Sequence, residues 1–105
     1  MSKLDLGGLL QQAKQLQERL SSVQDEIAAR TAEGRAGGGM VTAVVNGRLE
    51  LLRVHIEPSL LEAPDREMLQ DLVVAAVNEA LRAARAMIAE EMQKVTGGLP
   101  IPGLG

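Results

Sequence analysis

Hydrophobic positions along the chain change period three times. From Leu4 to Ala29, apolar residues recur at Leu6, Leu9, Ala13, Leu16, Leu20, Val23 and Ile27, in alternating steps of three and four. That spacing predicts an amphipathic helix with a heptad seam, its polar faces filled by Gln11, Gln12, Gln15, Gln17, Glu18 and Arg19. Gly7 and Gly8 weaken the first turns, so the regular part is expected to begin after them. From Val41 the pattern becomes β-like. Val41, Thr42, Val44 and Val45 are β-branched, and Asn46-Gly47 suits the positive φ angles of a tight hairpin turn. Leu49 to Glu57 then alternates, with Leu52, Val54 and Ile56 on one side and Arg53, His55 and Glu57 on the other. An isolated hairpin is marginal in water, so a third strand, a helix or a second chain must cover it.

The segments between these patterns are punctuated. Arg30 to Ala36 is either a loop or a short edge strand, and Gly37-Gly38-Gly39 is a turn. Pro58 to Glu62 is a short turn. Pro64 suits the first position of a second long helix, reaching about Val95, with Asp65 and Glu67 near its positive end. Two adjacent apolar stripes run along it. Leu69, Val73, Ala76, Ala80, Ala83 and Met87 form one; Val77, Leu81, Ala84, Ile88, Met92 and Val95 form the other. A helix with two stripes contacts more than one neighbour. Gly97-Gly98 ends it, and residues 97–105 form a Gly/Pro tail expected to be flexible. The layout is α+β in a single domain over residues 1–96, with helices at 4–29 and 64–95 and strands within 31–57. Helices of about 37 and 46 Å would outreach such a short-stranded sheet and project as arms, their free ends together at the tip of one arm.

Composition narrows the chemistry. The chain has 105 residues, 46% of them hydrophobic, with no aromatic residue and no cysteine. The core is therefore aliphatic, which favours long packed helices and association of chains. Disulfides, thiolate metal sites and cysteine nucleophiles are excluded. No apolar run reaches the roughly 18 residues of a membrane span, and the start of the chain lacks a secretory h-region, so a cytoplasmic location is expected. Net charge is −3, which weighs against nucleic acid as a partner.

No catalytic constellation emerges. His55 is the only histidine and has no second imidazole or thiolate with which to share a metal. Gly37 to Gly39 lacks the lysine and spacing of a phosphate loop. Asp25-Glu26 and Glu90-Glu91 are consecutive on helices and diverge by about 100°. Neither enzyme activity nor a cofactor is expected. The basic residues are more informative: Asn78, Arg82 and Arg85 share one helix face, Lys94 extends toward that helix's end, and Lys3, Lys14 and Arg19 lie on the first helix. These could hold phosphates. The same spacings also allow the Glu79–Arg82 and Glu90–Lys94 pairs of ordinary solvated faces. Without aromatic rings, single strands cannot be held by base stacking.

Taken in order, LLQQAKQLQERL, GRAGGGMVTAVVNGRLELLRVHIEPSLLE and DREMLQDLVVAAVNEALRAARAMIAEEMQKVTGG form a specific set. Over nearly its whole length the chain resembles the YbaB/EbfC family of bacterial nucleoid-associated proteins. The resemblance implies a tweezer-like homodimer with a central sheet built from both chains. It also implies binding of double-stranded DNA with little sequence preference, in nucleoid organisation or gene regulation. The candidate DNA-binding residues are Lys3, Lys14, Arg19, Arg82, Arg85 and Lys94. The alternative is a dimeric interaction module serving recombination or repair proteins. Gly7-Gly8 and a tail without basic or aromatic residues depart from the family pattern and would weaken DNA affinity.

Overall fold

A computed structural model describes residues 5–62 and 65–96. Helix α1 (Leu6–Ala29) leads into strands β1 (Thr31–Ala36), β2 (Val41–Asn46) and β3 (Leu51–Ile56). A single helical turn, α2 (Ser59–Glu62), precedes the long helix α3 (Arg66–Thr96). The sheet is antiparallel in the order β1-β2-β3. The fold is α+β. Arg30 to Ala36, which the sequence left between loop and strand, supplies the edge strand β1.

Helix α1 includes Gly7 and Gly8, contrary to the expectation that regular helix starts after them. Asp5 offsets their weak propensity: its carboxylate accepts the Gly8 N–H at 3.0 Å, satisfying a donor at the helix start. At the head of α3, the Asp65 carboxylate does the same for the Met68 N–H at 3.1 Å. The proposed role of Pro64 falls outside the described residues, as does the tail.

Packing is confined to one face of the sheet. Val41, Ala43 and Val45 of β2 are fully buried against Ala76, Ala80 and Ala84, with Leu60 of α2 closing the core. The three alanines recur every four residues, so their buried line runs between the two apolar stripes of α3. Their small side chains let α3 lie almost on the backbone of β1. Gly34 makes this possible: a Cβ there would stand 2.1 Å from the Ala80 nitrogen and 2.3 Å from the Ala76 carbonyl oxygen.

The β2–β3 turn differs from a two-residue hairpin. The Leu49 N–H donates to the Asn46 carbonyl at 3.0 Å, and the Asn46 N–H donates to the Glu50 carbonyl at 3.0 Å, enclosing three residues. Positive φ falls on Leu49 (62°), not on the Asn46-Gly47 pair. The Asn46 side chain holds this turn: its Oδ1 accepts from the Arg48 N–H at 2.9 Å and the Glu50 N–H at 3.0 Å. Gly47 is needed for space instead, because a Cβ would lie 1.9 Å from the Ile27 carbonyl oxygen of α1. The register then shifts between Val44 and Val45, a bulge that places Arg53 opposite Val44 and Leu51 opposite Val45.

The molecule is elongated, 80 × 26 × 16 Å. Of α1, only Ile27 is buried. Its end meets α3 at a groove of about 460 Å³, where Gln24 and Ile27 face Ile88 and Met92. Beyond that junction α1 runs another 18 residues, about 27 Å, whereas the described part of α3 continues for only four, about 6 Å. The helix ends described here therefore do not meet at one tip. The reason is that α3 uses residues up to Ala84 to cover the sheet, leaving a shorter stretch to project. The N-terminal part of the heptad seam is open, with Leu6 62%, Leu9 53% and Leu16 46% exposed.

Candidate nucleic-acid interface

The cations expected to line the arms divide into separate groups. Lys14 and Arg19 are exposed on the projecting part of α1. Five residues apart, they point about 140° from one another around the helix. Arg82 and Arg85 are also exposed and lie only about 60° apart. They do not stand on a projecting arm: they alternate with the core residues Ala80 and Ala84, so they occupy the outer side of the stretch that roofs the sheet. Lys94, nine residues after Arg85, points to the opposite side of α3. Lys3 lies outside the described residues.

Pairing follows the sequence in one case and departs from it in another. Arg82 donates to Glu79 at 2.7 Å, as the helical spacing allowed. Both side chains are more than half exposed, so the pair contributes little and can yield to a phosphate. Lys94 pairs with Glu91 at 3.2 Å, not with Glu90. Glu91 is drawn to this side because Arg30, at the junction of α1 and β1, also donates to it. The hydrogen bond from Lys94, opposed by partial desolvation and helped by the charges of Lys94 and Arg30, holds the Glu91 carboxyl below its ordinary range. Lys94 is therefore committed to a structural cluster tying α1 to α3. Arg85, like Arg66 at the start of α3, has no ion pair among the described residues.

The sheet carries a second polar surface on the side away from α3. Cross-strand register lines up Arg35, Thr42 and His55 in one row and Glu33, Val44 and Arg53 in the next. Together they line a shallow depression of about 390 Å³. Arg35 pairs with Glu33 at 3.3 Å, while Arg53 has no ion pair among the described residues. Sequence reasoning placed Arg53 and His55 on a common side but missed Arg35, because the strand carrying it was not assigned. Alternation of charged and small residues in Ala32-Glu33-Gly34-Arg35-Ala36 was the available signal.

Beside this surface, Gly37, Gly38 and Gly39 form the β1–β2 connection with φ of 64°, 68° and 96°. Side-chain-bearing residues rarely hold such a run. Arg35 and Thr42 border this turn as well as the depression. Among the described residues, no group of three or more histidine, cysteine or carboxylate side chains is placed to bind a metal, and no helix is long and apolar enough to cross a membrane.

Comparison with known proteins places these surfaces in context. A nucleoid-associated protein of Thermoanaerobacter pseudethanolicus is 52% identical over 100 residues, spanning 95% of this chain and 90% of that protein. One from Syntrophobacter fumaroxidans is 53% identical over 95 residues, covering 90% and 86% respectively. The crystal structure of an uncharacterized Helicobacter pylori protein, HP0035, is similar with a TM-score of 0.63 at 28% identity, covering 95% of this chain and 99% of that one. Residues 1–99 match the model of the YbaB/EbfC DNA-binding family. The chain belongs to that family.

Proposed function

We propose that this protein is a non-catalytic, nucleoid-associated homodimer that binds double-stranded DNA with little sequence preference and serves nucleoid organisation or gene regulation. The observation that carries the reading is the set of exposed cations, Lys14, Arg19, Arg82 and Arg85, on the two long helices of a chain from a DNA-binding family. Lys and Arg neutralise phosphates and release counterions, so affinity falls steeply with salt. A net charge of −3 does not oppose this, because cations placed together on one surface can hold phosphates locally whatever the sign of the whole chain.

Association of two chains has a physical rationale in β3. It is an open sheet edge, and α3 lies mainly over β1 and β2. Leu52 is 49% exposed, and Val54 and Ile56 beside it are only partly buried. A second copy pairing or packing there would cover them. A protein helix seated on the open α1 seam is the second reading, favoured by the exposure of Leu6, Leu9 and Leu16. A partner retained at high salt would support it.

The test is binding of fluorescently labelled duplex DNA across a salt series, for wild type and Arg82→Ala/Arg85→Ala. The label must be on the DNA because the chain has no Trp or Tyr. Binding that weakens with salt, and weakens further in the double variant equally for unrelated sequences, supports the reading. A folded dimer that binds no duplex at low salt overturns it.

A further inference from the structure

We infer that the helix-free face of the sheet, together with the Gly37–Gly39 turn, is a second phosphate-contacting surface for duplex DNA, separate from the cations on the helices. The inference rests on the duplex-binding reading above and adds a location to it.

The chemistry of the face is lopsided toward donation. Across its two rows, Arg35, Arg53, His55 and Thr42 can donate hydrogen bonds, and only Glu33 is an obligate acceptor. Glu33 is already engaged by Arg35 at 3.3 Å, which leaves the charge of Arg53 uncompensated within the rows. Glu57, two residues beyond His55 on the same side of the alternation, adds an exposed carboxylate just outside the two rows.

Packing holds these donors close to the sheet. Val44 points to the uncovered side, yet it is only 4% exposed. With no helix on that side, the shielding must come from the side chains around it, among them Arg53 and Glu33, its direct cross-strand neighbours. Stems lying against Val44 lose less conformational freedom on binding than free side chains would. Arg35 and His55 stand two strand spacings apart, about 10 Å, within the range of duplex groove widths, about 6 to 12 Å. The face can therefore reach phosphates along the edges of a groove.

The glycine turn extends the surface without obstructing it. Nothing lies within 4 Å of where a Cβ would sit at Gly38 or Gly39. A sugar–phosphate backbone can thus approach the main chain there; the Gly39 N–H already donates to the Ala36 carbonyl at 3.2 Å and the Met40 N–H to the Gly37 carbonyl at 3.4 Å, so the Gly38 N–H is the donor the turn offers a phosphate. No Asn or Gln stands in the two rows, and Asn46 at the far end is occupied by its own turn and by Glu50 at 2.8 Å. The rows therefore hold no amide side chain to read adenine, and their arginines are assigned to phosphates.

The deciding experiment measures labelled-duplex affinity across salt for wild type, Arg53→Gln/His55→Gln, Thr42→Glu and Arg82→Ala/Arg85→Ala. Circular dichroism checks folding and light scattering checks mass. If the Arg53 phosphate contact is lost, the Arg53→Gln/His55→Gln variant should show a log–log salt slope shallower by about 0.9 and several-fold weaker binding at 0.1 M salt. Thr42→Glu, which puts a carboxylate in the middle strand, should weaken binding at least as much. Folded face variants that bind like wild type, while the helix variant is weakened, overturn this inference and leave the functional reading standing. Wild type that binds no duplex overturns both. Face variants of altered mass would assign the surface to contact between copies of the chain, and overturn the inference as well.

Discussion

Replacing Gly34 with alanine isolates the contact on which the core depends. The added Cβ would meet the Ala80 nitrogen at 2.1 Å, the Ala76 oxygen at 2.3 Å and the Ala80 Cα at 2.8 Å. These are backbone atoms of a helix, so no rotamer change relieves them. Restoring a contact of about 3.5 Å requires α3 to retreat from β1 by about 1.4 Å. A gap of even 0.5–1 Å forfeits roughly a quarter to a half of each dispersion contact, and here it opens along Ala76, Ala80 and Ala84 together. Overpacking costs about 1–3 kcal/mol in sites that can adjust, so about 3 kcal/mol is expected in one that cannot. At about 4 °C per kcal/mol, the melting temperature falls by roughly 12 °C. Gly38→Ala is the matched comparison. It meets no atom within 4 Å but retains a φ of 68°, so it should cost only about 1–2 kcal/mol. Thermal melts by circular dichroism at equal chain concentration separate the two. A Gly34→Ala melt within about 3 °C of wild type, or a larger loss in Gly38→Ala, would refute the close-packing argument.

Other perturbations probe the remaining parts of the fold. Asn46→Ala removes an acceptor for two turn N–H groups and should cost about 1 kcal/mol in urea denaturation, with no loss indicating that Leu49 holds its conformation unaided. Leu52→Glu places a charge at the uncovered edge of β3 and should shift the proposed dimer toward monomer in light scattering; an unchanged mass would exclude that edge from the interface. Glu91→Gln tests the cluster joining α1 to α3. Because Lys94 and Arg30 lower the folded-state pKa of Glu91, its contribution to stability is present above the ordinary carboxylate value of 4.5 and lost as pH falls through the lowered one. Wild type should therefore melt above Glu91→Gln at neutral pH and converge with it in acid, and a gap unchanged at low pH would contradict the assignment.

The long-period patterns were legible because each follows from one repeating contact. The two long helices, expected over 4–29 and 64–95 and found at Leu6–Ala29 and Arg66–Thr96, and the alternating strand emerged from spacing, and the strand at Val41 from its β-branched residues. What remained hidden depends on distances between elements. Gly34 and Gly47 are invisible as a strand residue and a turn residue until Ala80 and Ile27 are brought against them. Positive φ at Leu49 is hidden for a similar reason: the backbone there closes a three-residue turn held by Asn46, so the dipeptide signal marked the right place and the wrong atoms. For Lys94 the spacing offered Glu90 as an alternative to a ligand, and the partner is instead Glu91, which it shares with Arg30 from across the fold. The basic row on the sheet needed two registers, one of them on a strand whose small residues gave no strong period.

One physical choice links these features. Without aromatic residues, the chain cannot build a thick core, so it stabilises a thin one by bringing α3 close to β1 through Gly34 and three alanines. A thin core on one face leaves the opposite face uncovered and spares most of α1 from packing. The exposed surface is therefore large relative to the mass, and its cations are spread over an 80 Å molecule instead of being gathered into one cleft. An extended array of that kind suits a polyanion that presents the same charge along its whole length. Gly34→Ala couples these consequences: lifting α3 from β1 should displace Arg82 and Arg85 relative to the sheet as well as lower stability. Duplex affinity measured well below the melting temperature should then fall in Gly34→Ala but not in Gly38→Ala. Equal affinities in two folded variants would mean that the helix and sheet cations act independently, each contributing its own phosphate contacts.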